Sequence, residues 1–493
     1  MENYDIAVIG CGPAGFAAAM RGIDYGKKVC LIEAGEIGGA GLMHGALTSK
    51  TMWELSKDYN TASRIDRGYR SSGLVVDFNE VKKKVINAAK IKQHQILSQI
   101  ETFAKEKHKK GSVTLIRGRA KILDSNTIDI TGAEVKSIKC NNIVIATGSR
   151  PRPLTGYAVD QKKILDSDSV LNLTKFPEKM LIIGSGIIGC EYATIFSNFK
   201  QTEVHLLDRS HRVIPYEDDD VSSFVSENLE DNGVIVHHTA NLRDIRDKGE
   251  YLEVVLDYED GHSQVLEVDV ALIAVGRMPN VEGLGLENLG IDVDNRGFLN
   301  INDVCMLTNQ KSCNIFAAGD ITGNSALVSV AELEGRYAVQ AIFDDNPTPI
   351  DYSNMSTIMF FRPAVAAVGM NEKMLKRHKI PYKAAFYHNN LVNRAIAMNN
   401  TTGFVKIMIS DDGNDKILGM RAAGPQASAF IVSVAHLINQ GNSLNEIMKT
   451  KYPHPSITEG FQDCMRLFKG TSIFKPEAFP EYIKLTSWRP ENS

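Results

Sequence analysis

Residues 5–20 read DIAVIGCGPAGFAAAM, and the architecture of the chain follows from them. Residues 5–9 are a short apolar run with the length of a buried strand. Gly10-Cys11-Gly12-Pro13-Ala14-Gly15 follows at once and passes into an Ala-rich helical stretch from Phe16. A second strand, residues 28–32, ends in Glu33. Strand, glycine turn, helix and acid-ended strand, in that order, make a dinucleotide-binding unit. The glycines permit a tight turn and close approach of backbone to a pyrophosphate. The helix N-terminus faces that anion with its unpaired N–H groups, and Pro13 and Ala14 of the turn are expected to meet the cofactor. A carboxylate at position 33 suits a ribose diol.

The pattern recurs. Residues 180–183 are the strand, Gly184-Ser185-Gly186-Ile187-Ile188-Gly189 the turn, residues 191–199 the helix, and residues 203–207 a strand ending in Asp208. Two such units imply two dinucleotides. A second NAD alone has no obvious redox purpose. One NAD and one FAD do, because a flavin accepts hydride from nicotinamide and delivers one or two electrons onward. Asp208 would accept hydrogen bonds from the adenosine ribose and repel a 2′-phosphate, and Gly189 is the third glycine of an NAD-type turn. Both favour NAD. Arg209, with Arg212 behind it, keeps NADP open, because a guanidinium clamps phosphate; the alternative is that Arg209 points to solvent.

Composition bounds what remains. A chain of 493 residues exceeds one hydrophobic core, so two to four domains are expected. The hydrophobic share of 43% and charged share of 23% are those of ordinary globular proteins. The net charge of -4 carries no block of like charges. The basic cluster at residues 105–110 reads as a solvated helix end, so no nucleic-acid partner is expected. No apolar run reaches about 18 residues, and no transmembrane segment is expected. Residues 1–5, MENYD, lack the basic and apolar regions of a signal peptide, and a cytoplasmic location is expected. The 7 cysteines are Cys11, Cys30, Cys140, Cys190, Cys305, Cys313 and Cys464. Their number is odd, they are scattered, and no C-x-x-C occurs. They read as reduced structural residues, with neither a disulfide framework nor a metal site.

Three further motifs carry a specific resemblance. Residues 143–151 read IVIATGSRP, residues 272–279 LIAVGRMP, and residues 315–320 IFAAGD. With the two glycine turns, their order and spacing resemble the flavoprotein disulfide reductases of the dihydrolipoamide dehydrogenase and glutathione reductase type, over residues 4–470. The resemblance implies an α/β fold with two Rossmann-like dinucleotide-binding domains and an α+β C-terminal dimerisation domain. Residues 1–150 and 280–349 would bind FAD, 151–279 NAD(P), and 350–470 a second copy, leaving 471–493 as an extension. It also implies that Ala146, Thr147 and Gly148 close the FAD domain, that Gly276 marks the counterpart after the NAD domain, and that Gly319 and Asp320 meet the ribityl chain. Apolar positions at helical spacing over residues 78–110 predict one long amphipathic helix.

The departure from the family lies in residues 38–50, GGAGLMHGALTSK. Gly38, Gly39, Gly45, Ser49 and Lys50 keep the register. Gly41 and Ala46 stand where the family has its redox cysteines, and Thr48 replaces a proline. Disulfide chemistry needs a thiolate that attacks sulfur, which neither residue supplies. Electrons are then expected to pass from flavin directly to a small acceptor: a quinone, a dye-like acceptor, a metal ion, oxygen or a second pyridine nucleotide. The space of the missing side chains is where that acceptor is expected.

In the family the lysine matching Lys50 lies by flavin N5 and pairs with an acid matching Glu191. A cation there eases hydride acceptance; the alternative is a structural ion pair. His454 and Glu459 match the family's proton-shuttling pair at the dimer interface. They would serve another acceptor, or persist as interface residues. His44 is either a new donor or metal ligand facing the flavin, or a residue that packs or points to solvent. The tail 471–493, with Phe474, Phe479, Tyr482 and Trp488, is expected to pack on the dimer or cap the acceptor cavity. Two other readings stand beside this one: a non-catalytic FAD-binding homodimer, and a true dihydrolipoamide dehydrogenase.

Overall fold

Strand Glu2–Ile9 is paired on both edges, parallel to Lys28–Glu33 and to Ser137–Ile145. Ile6, Ala7 and Val8 are fully buried, which explains why this stretch reads as continuously apolar rather than alternating. The computed structural model describes residues 1–490 except 71, 105–109, 309–313 and 442–443. Cys313 and the basic residues 105–109 therefore lie outside the described residues.

The chain divides into two compact units, one of Met1–Pro177 and Val270–Ile350, the other of Glu178–Asp269 and Asp351–Ser493. The first is built on a 7-stranded sheet. Its parallel part runs Ser112–Arg117, Lys28–Glu33, Glu2–Ile9, Ser137–Ile145 and Ile315–Ala317. Thr127–Thr131 and Arg119–Asp124 extend it antiparallel. Helices Pro13–Asp24 and Val328–Phe343 pack closely because Gly335 sits against Ala14, where a Cβ would lie 2.0 Å from the Ala14 carbonyl oxygen.

The long helix is Phe78–Thr102, started by Asp77, whose carboxylate accepts from the Asn79 and Glu80 N–H groups. It ends short of the 78–110 that the apolar spacing predicts. The Phe103 carbonyl accepts from Val113 N at 2.9 Å, and Ala104 bridges Val113. The chain has already turned into the sheet there.

In the second unit, Lys179–Ile183, Glu203–Leu207 and Ile235–His237 pair in parallel. Helix Ile187–Phe199 is buried on nearly all sides, which its apolar composition requires. Residues 351–493 add a 6-stranded antiparallel sheet in the order Ser356–Met359, Val365–Gly369, Ile417–Ala423, Phe404–Ser410, Tyr382–His388 and Ile483–Trp488. Helices Ile431–Asn439 and Thr458–Leu467 bury Val434, Phe461 and Met465 against it. The last strand is the aromatic tail. Its sequence reading did not include a place in this sheet.

Candidate active site

The first glycine turn splits its work among three glycines. Gly10 has φ +103°, and a Cβ on it would lie 2.3 Å from the Ala146 carbonyl oxygen. A Cβ on Gly15 would lie 1.9 Å from the Gly10 carbonyl oxygen. These two glycines are packing requirements. Gly12 differs: the nearest atom to a Cβ there is Gly39 Cα, at 4.0 Å. Its open side faces the start of helix Pro13–Asp24, where Ala14 and Gly15 precede the first helical bond, Phe16 N to Gly12 O at 2.9 Å.

Glu33, Gly38 and Gly39 converge on the same turn. Glu33 accepts from Cys11 N at 2.5 Å and Gly35 N at 2.6 Å. Gly38 N donates to the Cys11 carbonyl at 2.9 Å. Gly39, at φ +57°, lies so close to Gly12 that its Cβ would be 2.9 Å from Gly12 Cα. Thr147 Oγ1 donates to the Asn280 carbonyl and Asn280 Nδ2 to the Thr147 carbonyl, both at 2.8 Å. This interlock fixes Ala146–Thr147–Gly148. Gly276 has φ +106°, and its carbonyl accepts from Arg152 N at 2.9 Å. Asp320 accepts from Ser149 Oγ at 2.6 Å, and Ser149 Oγ accepts from Arg277 Nε at 2.8 Å. Gly319 N donates to the fully buried Glu334 at 2.6 Å. An open middle glycine at a helix start, a carboxylate at a strand end and a half-buried Asp320 fit a pyrophosphate, a ribose and a polyol chain. The Thr48 hydroxyl is buried with no hydrogen-bond partner among the described residues.

Helix Gly39–Met43 and helix Ala46–Ala62 carry the departing loop. A Cβ on Gly41 would lie 3.0 Å from Pro13 Cγ and 3.1 Å from Val328 Cγ2. At Gly41 the wall is therefore close-packed by the side-chain ends of Pro13 and Val328. His44 caps the short helix and is half-buried. Among the described residues no three His, Cys, Asp or Glu side chains group as metal ligands. Lys50 Nζ donates to Ser49 Oγ at 3.3 Å.

The second turn repeats the division. A Cβ on Gly189 would lie 1.9 Å from the Gly184 carbonyl oxygen, and one on Gly186 would meet nothing within 4 Å. Ile187 opens the helix that carries Glu191, which is 5% exposed and accepts from Phe360 N at 3.1 Å. Lys50 and Glu191 fall in different units. Asp208 differs from expectation. It is turned inward, 2% exposed, and accepts from Ser185 Oγ at 2.7 Å and Ser210 N at 3.0 Å. Its second oxygen lies 3.4 Å from His238 Nδ1. Arg209 is exposed and donates to Asn241 Oδ1 at 3.2 Å, while Arg212 pairs with Asp219 at 2.6 Å.

His454 Nδ1 and Glu459 Oε1 are 2.7 Å apart, and Glu459 Oε2 accepts from Ser456 N at 2.8 Å. The imidazole is 62% exposed. None of the six described cysteines forms a disulfide, and all are buried. Burial pushes the Cys11, Cys140 and Cys305 thiols up to about 12 and raises those of Cys30, Cys190 and Cys464 as well. A cavity of about 350 Å³ between helix Asp219–Asp231 and the six-stranded sheet is lined by Phe224, Phe386, Phe404 and Lys406; no expected site residue lines it. Among the described residues no helix is long and apolar enough to cross a membrane.

Sequence reasoning missed Ser149, Asn280, Glu334 and His238. Ser149 directly follows the residue 146–148 motif and could have been suspected. Nothing in the local pattern marks the other three.

Comparison with known proteins agrees with this geometry. Residues 4–335 match the family model described as pyridine nucleotide-disulphide oxidoreductase, and residues 355–465 match that family's dimerisation domain. The chain is 31% identical over 470 residues to a dihydrolipoyl dehydrogenase of Geobacillus stearothermophilus, covering 94% of this chain and 96% of that relative. It is 30% identical over 480 residues to a dihydrolipoyl dehydrogenase of Chlamydia trachomatis, covering 97% and 99%. The solved structure of LpdA from Mycobacterium tuberculosis shares the fold with a TM-score of 0.85 at 24% identity, covering 95% of this chain and 100% of that one.

Proposed function

The chain belongs to the pyridine nucleotide-disulphide oxidoreductase family, an FAD- and NAD(P)-dependent enzyme with a homodimerisation domain, and from that premise we propose that it passes electrons from NADH through FAD directly to a small non-disulfide acceptor. The observation that carries this reading is the cysteine-free loop 38–50, in which the resemblance sets Gly41 and Ala46 against the family's redox pair. Among the described residues the buried thiols offer no substitute, because a thiol held near 12 is not a thiolate at neutral pH.

Residues 1–150 and 280–349 would hold FAD, residues 151–279 NAD(P), and residues 350–470 the second copy. The turn 10–15 takes the FAD pyrophosphate, Glu33 its ribose and Asp320 its ribityl chain. Gly184, Gly186, Ile187 and Gly189 take the second pyrophosphate. FAD, when bound, accepts hydride from nicotinamide and releases electrons singly or in pairs. Lys50 supplies positive charge at the flavin end. Glu459 orients His454 through Nδ1, which leaves Nε2 as the atom that exchanges a proton with the acceptor.

Anaerobic titration with NADH tests the route. Flavin bleaching is expected without the long-wavelength thiolate–flavin band, and its appearance would refute the proposal. The relatives' name points to a second reading, oxidation of dihydrolipoamide. That chemistry needs a thiolate to form a mixed disulfide. A panel of quinones, ferric chelates, thio-NAD and dihydrolipoamide separates the two: robust dihydrolipoamide turnover overturns the direct route.

A further inference from the structure

Asp208 occupies the position that chooses between NAD and NADP in this kind of unit, yet its carboxylate is not left as a bare anion. Oδ1 is committed to Ser185 Oγ at 2.7 Å and Ser210 N at 3.0 Å. Oδ2 faces His238 Nδ1 at 3.4 Å. On its other side, His238 Nε2 lies 3.6 Å from Glu230 Oε1 and 3.3 Å from Ser226 Oγ, both on helix Asp219–Asp231. Two further titratable neighbours do not change charge near pH 7: burial lowers the His237 pKa to about 4, and burial raises the pKa of the Cys190 thiol, which interacts with the Asp208 charge. Arg209 adds a permanent cation, exposed at the rim. The only group among these that changes charge near neutrality is the imidazole set between two carboxylates.

We propose that His238 is a pH-dependent specificity residue, whose protonation decides how strongly this site rejects a 2′-phosphate on the adenosine ribose. The proposal rests on the reading that the adenosine ribose binds beside Asp208. With neutral His238, Asp208 and Glu230 present two negative charges, and a 2′-phosphate is repelled. With protonated His238, the imidazolium cancels much of that field, and a 2′-phosphate is tolerated. The Asp208 hydrogen bond, partly opposed by burial, and the charges of Asp208 and Glu230 hold the His238 pKa above its ordinary value. The change therefore falls above about pH 6.5. One charge acting over several ångströms at a half-exposed site corresponds to a change in affinity of about five- to tenfold.

The test is calorimetric and needs no turnover. ADP-ribose and 2′-phospho-ADP-ribose are titrated into the FAD-loaded protein between pH 5.5 and 8.5, with wild type, His238→Gln and Asp208→Asn. The expected result in wild type is a ratio of the two Kd values that turns about five- to tenfold against the phosphorylated ligand as pH rises. The ligand's own phosphate ionises near pH 6, but it does so equally in every protein, so the excess over His238→Gln is the quantity read. Parallel ratios in wild type and His238→Gln, with a responsive Asp208→Asn, overturn the proposal. A ratio that Asp208→Asn also leaves unchanged shows instead that the ribose does not bind beside Asp208, and the underlying reading fails. If His238→Gln does not fold, the NMR titration of the wild-type imidazole decides. 2′-Phospho-ADP-ribose must then raise the His238 pKa more than ADP-ribose does, and equal shifts overturn the proposal.

Discussion

Glycines that look equivalent in a motif are not equivalent in the fold. Gly12 is at φ -74°, a value alanine adopts readily, and a Cβ there would touch only Gly39 Cα, at an ordinary 4.0 Å. Gly15 is closed off by the Gly10 carbonyl, which a Cβ would approach to 1.9 Å. Gly15→Ala is expected to destabilise the protein by about 3 kcal/mol or more, since backbone must move. Gly12→Ala is expected to leave the stability of the flavin-free protein within about 0.5 kcal/mol of wild type and to lower the flavin content of the purified protein. Denaturant midpoints of both apo-proteins, with flavin absorbance, check the pair. A Gly12→Ala protein with full flavin content would place the pyrophosphate elsewhere. The residue scale is also where the sequence was least legible. The six glycines of the two turns were readable as a pattern, but their separate tasks needed coordinates. His238 needed them too, because it reaches Asp208 only through the pairing of Ile235–His237 with Glu203–Leu207.

At the scale of elements, most of what was readable came from strong periodicity. The two strand–turn–helix units stand where the motifs put them. The helix from Phe78 starts where its pattern starts and stops at Thr102, because Phe103 and Ala104 meet Val113, a partner that periodicity cannot reveal. The tail is a sharper case. Residues 483–488, IKLTSW, alternate only loosely, and as an outermost strand they keep most side chains in solvent. An edge strand leaves a weak trace in sequence because one face and one edge need no burial. Ile483 is nevertheless buried, and the Trp488 ring stacks on Tyr382 with centroids 5.9 Å apart. Ending the chain after residue 482 is expected to cost about 3 kcal/mol, from the lost aliphatic burial and ring pair. It would also open strand Tyr382–His388 as a new edge prone to association. Chemical unfolding and light scattering of the truncated protein test this, and unchanged values for both would mean that the strand contributes nothing.

Over the whole molecule, the chain leaves the second unit after Asp269 and returns at Asp351, so something must hold the two segments of that unit together. Buried charge does part of this. Lys406, with its side chain 4% exposed, sits 2.9 Å from Asp218, 2.7 Å from Asp220 and 2.9 Å from Glu372. Arg421 lies 2.7 Å from Glu217. Asp220 and Lys406 are 186 positions apart, so no local pattern announces the cluster. Burial disfavours the Lys406 charge, but Asp220, Asp218 and Glu372 more than offset it and raise its pKa. Burial likewise opposes the Asp218 charge, and Lys406 with the Glu372 and Lys373 N–H groups brings its pKa below the ordinary carboxylate value. A carboxylate whose folded pKa is depressed stabilises the fold above its unfolded pKa, about 3.9. That contribution is lost as pH falls through the folded value. Lys406→Met strands the carboxylates and is expected to destabilise the protein by about 3–5 kcal/mol at pH 7. Without the ammonium the carboxylates protonate more easily, so the deficit relative to wild type should shrink below about pH 4. Denaturant midpoints of both proteins from pH 3 to 8 measure it. A deficit that stayed constant across that range would assign the loss to packing of the lysine stem rather than to its charge.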